Sequence, residues 1–298
     1  MAQAPTRANW ISIALLGVIW GGTFMVTTVA LRGYGPLTVA CARTTLGAVA
    51  TLALMIAMRR PLPKGAQAWQ QLAIIGIINT ALPFVLLSWG LQHVPSAFAG
   101  ISMSALPLFV LPLAHVFTDE KMHLRRLIGV IIGFCGALVL IGPGLAQLGQ
   151  GSEPLAQLAC LASTVSYAIA SIMTRRAPPM DPIALTAMTL VAGSVVLVPI
   201  TLAVEGVPHW AGREAGLAIL FLGLVPTGLA ALLRTLVIRS AGSVFMTLVN
   251  YQVPLWSVVF GALFLNEALP LRFFVALGLI LTGIAVSQWR SLMGVLRR

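Results

Sequence analysis

The segment Ser96–Gly136, SAFAGISMSALPLFVLPLAHVFTDEKMHLRRLIGVIIGFCG, returns in altered form as Ser243–Gly283, SVFMTLVNYQVPLWSVVFGALFLNEALPLRFFVALGLILTG. Ser96 aligns with Ser243, Phe98 with Phe245, Pro107 with Pro254, Glu120 with Glu267, Leu124 with Leu271, Arg125 with Arg272 and Gly136 with Gly283, at one offset (267 − 120 = 147). A match that holds without a gap over this length marks an internal repeat spanning about half the chain. Trp20 and Tyr167 keep the same offset and carry the repeat back to the start of each half.

What repeats is a set of membrane spans. Apolar residues make up 59% of the chain and charged residues 8%, with a mean hydropathy of +0.98, which leaves too little polar surface for a water-soluble fold. A crossing helix needs about 20 apolar residues. Apolar runs predict spans over 9–29, 36–58, 68–90, 94–115, 125–142, 153–174, 182–204, 213–237, 242–264 and 270–290. These runs stay apolar for twice the length of a barrel strand, so the spans are helical. The fold class is therefore an all-α integral membrane protein whose ten transmembrane helices form two five-helix repeats, residues 1–147 and 148–298, joined through the helix-breaking segment that opens Gly142-Pro143-Gly144. Because five is odd, the second repeat enters the membrane upside down relative to the first, the architecture of many secondary transporters.

The net charge of +11 reports topology. With the N-terminus inside, Arg59, Arg60, Lys64, Arg125, Arg126, Arg175 and Arg176 fall in cytoplasmic loops, whereas Arg32, Arg213 and Arg272 face outward. Both termini are thus expected in the cytoplasm. The basic residues alternate between loops and do not line one amphipathic face, which argues against nucleic acid as a partner. Cys41, Cys135 and Cys160 lie in spans without CxxC spacing, so neither disulfide nor metal site is expected, and no cofactor. The first apolar run is too long for a signal peptide and continues into Trp20-Gly21-Gly22, so it is expected to be retained.

Prolines inside spans remove a backbone donor and free carbonyls that lipid cannot satisfy. Pro83, Pro107, Pro112, Pro226 and Pro254 lie in the third, fourth, eighth and ninth spans, which are the expected cavity walls. In this alignment Pro83 meets Pro226 only through a gap. Neutral polar and aromatic residues at mid-span are candidate substrate contacts: Trp20, Thr23, Asn79, Met103, Ser104, Ser163, Tyr167, Asn250, Tyr251, Gln252 and Trp256, together with Pro83 and Pro107. Amide and hydroxyl groups suit an amino and a carboxyl group, and aromatic and Met side chains adapt to varied apolar bodies. The same residue types also serve as ordinary interhelical links.

All seven acidic residues fall in loops or at span ends. Without a mid-membrane carboxylate, facilitated diffusion is a simpler expectation than proton coupling. Arg43 lies about 10 Å into the second span at 1.5 Å per residue, where it either binds a substrate carboxylate or snorkels to the interface. Arg234 is close enough to the inner face to snorkel. Glu120 and Glu267 follow the fourth and ninth spans at opposite faces, where each caps the next helix or bonds a neighbouring loop, a structural or gating role.

Trp20-Gly21 with Phe24, Pro36 followed by Arg43, and the paired runs Pro107 to Glu120 and Pro254 to Glu267 before Gly-rich helices resemble the EamA-type branch of the drug/metabolite transporter superfamily. The resemblance covers nearly the whole chain. It implies export of small metabolites, often amino acids, from a bacterial inner membrane, with the aromatic amino-acid exporters as the nearest type and a multidrug exporter as the alternative. Two departures stand out: Tyr167 replaces the tryptophan that symmetry expects, and Met188 lies near where the second span has Arg43. An intramembrane enzyme is disfavoured by the absence of HExxH, GxSxG or paired mid-membrane carboxylates. A channel would use an oligomer around a pore, whereas an internal repeat supplies a binding interface within a monomer. The expected partners are a small-molecule substrate and membrane lipid.

Overall fold

A computed structural model describes residues 5–118, 122–142, 151–178, 180–241, 243–289 and 293. Every regular element among them is helical. Eight helices have the length and composition of membrane spans: α1 (Arg7–Leu31), α2 (Pro36–Ala57), α3 (Ala66–Gly90), α4 (Ser96–Phe117), α5 (Leu124–Ile141), α6 (Glu153–Arg176), α7 (Pro182–Val204) and α8 (Arg213–Ile238). Two shorter apolar helices, α9 (Val249–Leu265) and α10 (Leu271–Ser287), complete the set. The junction around residues 143–150, with the boundary between 147 and 148, and Glu120 lie outside the described residues.

Two helix starts carry a side-chain cap from their own sequence. Thr6 Oγ1 accepts the Asn9 N–H at the start of α1, and Asp181 caps α7 by accepting from Ile183 and Ala184, with Pro182 at the first helical position. The ninth span departs from its expected range of 242–264. A short helix, Ser243–Met246, ends before Val249, and the N–H groups of Asn250 and Tyr251 turn back three residues to Thr247 and Leu248. Pro254 supplies no N–H to the Asn250 carbonyl one turn earlier, so the backbone above it tightens. Its repeat mate Pro107 goes with a similar tightening at Ala105, which bonds Ser102.

The helices pack in pairs that obey the repeat. α2 packs on α7, α4 on α9 and α5 on α10; α1 packs on α8 and α9, as its mate α6 packs on α3 and α4. The self-paired mates run antiparallel. At one end of α5 Gly129 faces Gly283 and Ser287 of α10, while further along Gly136 faces Ala276 and Ile280. Along α2, Ala40 and Cys41 sit with Leu197 near the far end of α7, and Met55 sits with Ile183 and Ala187 near its beginning. Antiparallel mates are what a two-fold axis in the membrane plane produces, so the halves are inverted.

Outside the bundle the surface is apolar, with Ile56 67% and Val195 68% exposed, where a soluble helix would carry charge. Inside, threonines such as Thr27, Thr44 and Thr51 return their hydroxyls to carbonyls of their own helices, so they enter a lipid-like interior without unpaired groups. Glycines set the closest approach. A Cβ on Gly283 would run into the backbone of Gly129 and Gly133. Gly283→Leu is therefore expected to pry α10 from α5 at a cost above the usual ~1–3 kcal/mol of overpacking. Thermal unfolding in detergent should show a clear fall in Tm, and an unchanged Tm would contradict this packing.

Candidate functional site

The centre of the bundle is organised by two π turns, Ile77–Ala81 in α3 and Gly223–Leu229 in α8. In a π turn each N–H reaches back five residues, so one carbonyl loses its usual partner. In α3 the Leu82 N–H bonds the Ile77 carbonyl, and the carbonyl of Ile78 accepts instead from Ser166 Oγ of α6 at 2.5 Å. In α8 the Ala230 N–H bonds the Val225 carbonyl, and the carbonyl of Pro226 accepts from Trp20 Nε1 of α1 at 3.2 Å. Each distortion is thus tied by the first helix of the opposite half.

The register of these helices differs from the proline alignment. Gly76 corresponds to Gly223 and Thr80 to Thr227 without a gap (227 − 80 = 147). Packing confirms the equivalence: a Cβ on Gly47 of α2 would strike the Thr227 methyl, and one on Gly193 of α7 would strike the Thr80 hydroxyl. The two prolines are not mates; Pro226 lies inside its π turn and Pro83 just after the other. Pro226 supplies no N–H to the Leu222 carbonyl, and Thr227 Oγ1 takes that carbonyl at 2.9 Å.

Arg43 joins this network. Its Nε donates to Thr227 Oγ1 at 3.3 Å, and its guanidinium lies 4.0 Å from the ring centroid of Phe84 of α3. Tyr167 of α6 packs on the cluster that holds Phe84 and is within electrostatic reach of Arg43. Arg43 is half-buried, is tied to α8 and α3 in the bundle interior, and has no ion pair among the described residues. A cation so placed needs an anion or ordered dipoles. Trp20, Arg43 and Tyr167, far apart in sequence, therefore meet around α3 and α8 with Phe84, Thr227 and Pro226.

Other candidates are placed elsewhere. The hydroxyls of Thr23, Ser104 and Ser163 bond carbonyls of their own helices, and Met103 sulfur accepts from Ser163 and Thr164 where α4 meets α6. Gln252 and Trp256 seat on Gly17 and Gly21 at the α1–α9 contact, with Trp256 stacked on Phe260 at 5.5 Å. Pro83 and Pro107 are buried. Asn79 and Asn250 are half-buried. Tyr251 Oη is buried without a hydrogen bond.

Glu267 reaches past α10, the next helix, and accepts the N–H groups of Ser96 at 2.6 Å and Ala97 at 3.1 Å at the start of α4. Glu205, which nothing in the sequence singled out, does the same for Leu37 at 2.9 Å and Thr38 at 2.8 Å at the start of α2. Neither helix has a side-chain cap of its own, since Pro95 and Gly35 occupy the cap positions. Both therefore take a carboxylate from the opposite half.

The sequence signature of the EamA-like transporter family matches twice, over residues 8–142 and 154–289. The chain belongs to this family. It is a multi-pass membrane transporter, not an enzyme, and the doubled EamA signature coincides with the repeat. Relatives in the family include the uncharacterized transporter YoaV of Bacillus subtilis, 25% identical over 94% of this chain and 96% of its own length. A Streptantibioticus cattleyicolor protein named "Probable terminal-alkyne amino-acid exporter" is 26% identical over 96% of this chain and 95% of its own. The uncharacterized inner membrane transporter YedA of Escherichia coli is 24% identical over 91% of this chain and 87% of its own. A crystal structure of a protein superposes with a TM-score of 0.67 at 18% identity, covering 96% of this chain and 99% of that one, a likeness of fold.

Thr227 links the π turn of α8 to Arg43, so Thr227→Val would leave the Leu222 carbonyl and Arg43 Nε unpaired at about 1–3 kcal/mol. Thr227→Ser keeps the hydroxyl. The valine variant is expected to lose thermal stability and flux in liposomes while the serine variant stays near wild type; equal behaviour of the two would remove the hydroxyl from the network.

Proposed function

We propose that this EamA-family transporter exports small carboxylate-bearing metabolites, with neutral and aromatic amino acids among them, across a bacterial inner membrane. The observation that supports this most is Arg43, a guanidinium in the bundle interior with one nitrogen tied to Thr227 and no counter-ion among the described residues. A substrate carboxylate completes it, and the two terminal nitrogens present the paired donors that a carboxylate fits. Phe84, Tyr167 and Trp20 offer aromatic surface beside it for an apolar or aromatic body. The amino-acid exporter among the relatives points the same way, as does the inner-membrane relative for location.

The mechanism is alternating access. Residues 1–147 and 148–298 act as two inverted halves that rock about the Arg43 region, with both termini in the cytoplasm and the monomer as the working unit. Glu267 and Glu205 tie the starts of α4 and α2 to the opposite half and act as latches between the halves. Transport follows the electrochemical gradient of the substrate without a coupled proton, because no buried carboxylate stands in the described spans to carry one. Asn79 and Tyr251, with uncommitted polar groups, are further contacts for the cargo.

Arg43→Gln keeps much of the side-chain volume and removes the charge. Counterflow of labelled phenylalanine, threonine and methionine into liposomes is expected to be saturable for the wild-type chain and to fall at least about tenfold in this variant, the loss of one charge-assisted bond of about 1.5–3 kcal/mol. Asn79→Ala and Tyr251→Phe should lower flux without loss of folded protein. Wild-type rates in all three variants would sink the site assignment, and no flux of any amino acid would remove amino acids from the cargo.

A further inference from the structure

The charge balance of the Arg43 region carries a further conclusion, which rests on the carboxylate reading above. The described acidic residues all stand at helix ends and most are engaged there: Glu153 with Gln157, Asp181 with the start of α7 and Arg60, Glu205 with α2, and Glu267 with α4. Glu214 lies in the first turn of α8. Asp119 and Glu120 lie outside the described residues, in sequence between α4 and α5. No described carboxylate reaches the middle of the bundle.

An amino acid brings an ammonium as well as a carboxylate, and the ammonium needs acceptors. The carbonyls that the π turns and Pro226 release would serve, yet Ile78, Pro226 and Leu222 already accept from Ser166, Trp20 and Thr227. What remains near the turns is neutral, chiefly the Asn79 amide. In an amino acid one carboxylate would have to serve both its own ammonium and Arg43, leaving one positive charge uncompensated in a medium of low dielectric, whereas a cargo without the ammonium would neutralise Arg43. The region complements a net charge of −1.

We infer that the preferred cargo is a monocarboxylate of net charge −1 with an apolar or aromatic body and no free ammonium, such as an N-acylated or deaminated amino acid. Its export moves one negative charge outward per cycle. The inside-negative membrane potential then drives transport with no proton and no mid-membrane carboxylate, at about 2.3 kcal/mol per 100 mV for one charge, an outside-to-inside ratio of about 50-fold at equilibrium.

Phenylalanine and N-acetylphenylalanine share a body and a carboxylate and differ in the ammonium, so they are the probes. The purified full-length chain in potassium-loaded liposomes receives a valinomycin potential of 100 mV, inside negative, and the distribution of each labelled compound is followed to equilibrium against protein-free liposomes. The equilibrium ratio does not depend on the direction in which the protein inserts. The expected result is faster flux of N-acetylphenylalanine than of phenylalanine, with the former expelled toward the 50-fold limit, the latter indifferent to potential, and Arg43→Gln slowing the former. Phenylalanine carried while N-acetylphenylalanine is not, or both carried with no response to potential, overturns the inference and leaves the carboxylate exporter standing. Neither compound carried by a folded, monodisperse protein overturns the carboxylate reading beneath it.

Discussion

Lipid donates no hydrogen bond, so each carbonyl released by a distorted helix must be satisfied from within the protein, and much of the centre of this molecule follows from that requirement. α3 and α8 are interrupted by π turns, and the freed carbonyls fix who their neighbours are. Ser166 must sit at Ile78 and Trp20 at Pro226, which sets the first helix of each half against the third helix of the other. Thr227 takes the carbonyl that Pro226 orphans and, having donated its proton there, presents its oxygen to Arg43. A backbone defect thereby positions Arg43, the charged group of this network among the described residues.

Close packing makes these short reaches possible. Gly47 and Gly193 admit the threonines of the two π turns, and Gly17 and Gly21 admit Gln252 and Trp256. Where side chains vanish, helices meet backbone to backbone and gain dispersion contacts that substitute for the missing hydrophobic drive between helices in lipid. The helix starts at Leu37 and Ser96 face the opposite problem of unpaired donors, and carboxylates from the other half supply the acceptors. Apolar contacts, small-residue notches and helix-end charges therefore all run between the halves, and the interface is where the fold stores its specificity.

The spans and the repeat are legible in the sequence because both depend on properties summed over many residues. The seventh span begins at Pro182 and ends at Val204 as the apolar run predicts, whereas the ninth begins late because a tight turn at Thr247 leaves no trace in hydropathy. Of the central network, Trp20, Arg43 and Tyr167 stand out as aromatic or charged residues among aliphatics. Phe84, Thr80, Thr227 and Ser166 do not, since phenylalanine, threonine and serine recur through many of the spans; only the equal spacing of Thr80 and Thr227 marks them. Glu205 is unreadable for another reason. Its partners lie 168 and 167 residues away, and no local pattern connects a helix end to a helix start in the other half.

Symmetry holds in the helix packing and is broken in the chemistry. α2 and α7 run in a register one residue shorter than the rest of the repeat, with Pro36 on Pro182 and Gly47 on Gly193 (193 − 47 = 146). In that register Arg43 corresponds to Thr189, not to Met188, and Thr189 returns its hydroxyl to its own helix at Leu185 and Thr186. A second guanidinium at Thr189 would stand across the axis from the first, and two like charges in a region of low dielectric would repel with no described carboxylate between them. The inverted scaffold repeats the same helix packing in both halves, while Arg43 keeps the first half chemically distinct. Arg43 is fixed to Thr227 of the opposite half, and a motion of α2 against α8 acts on that bond.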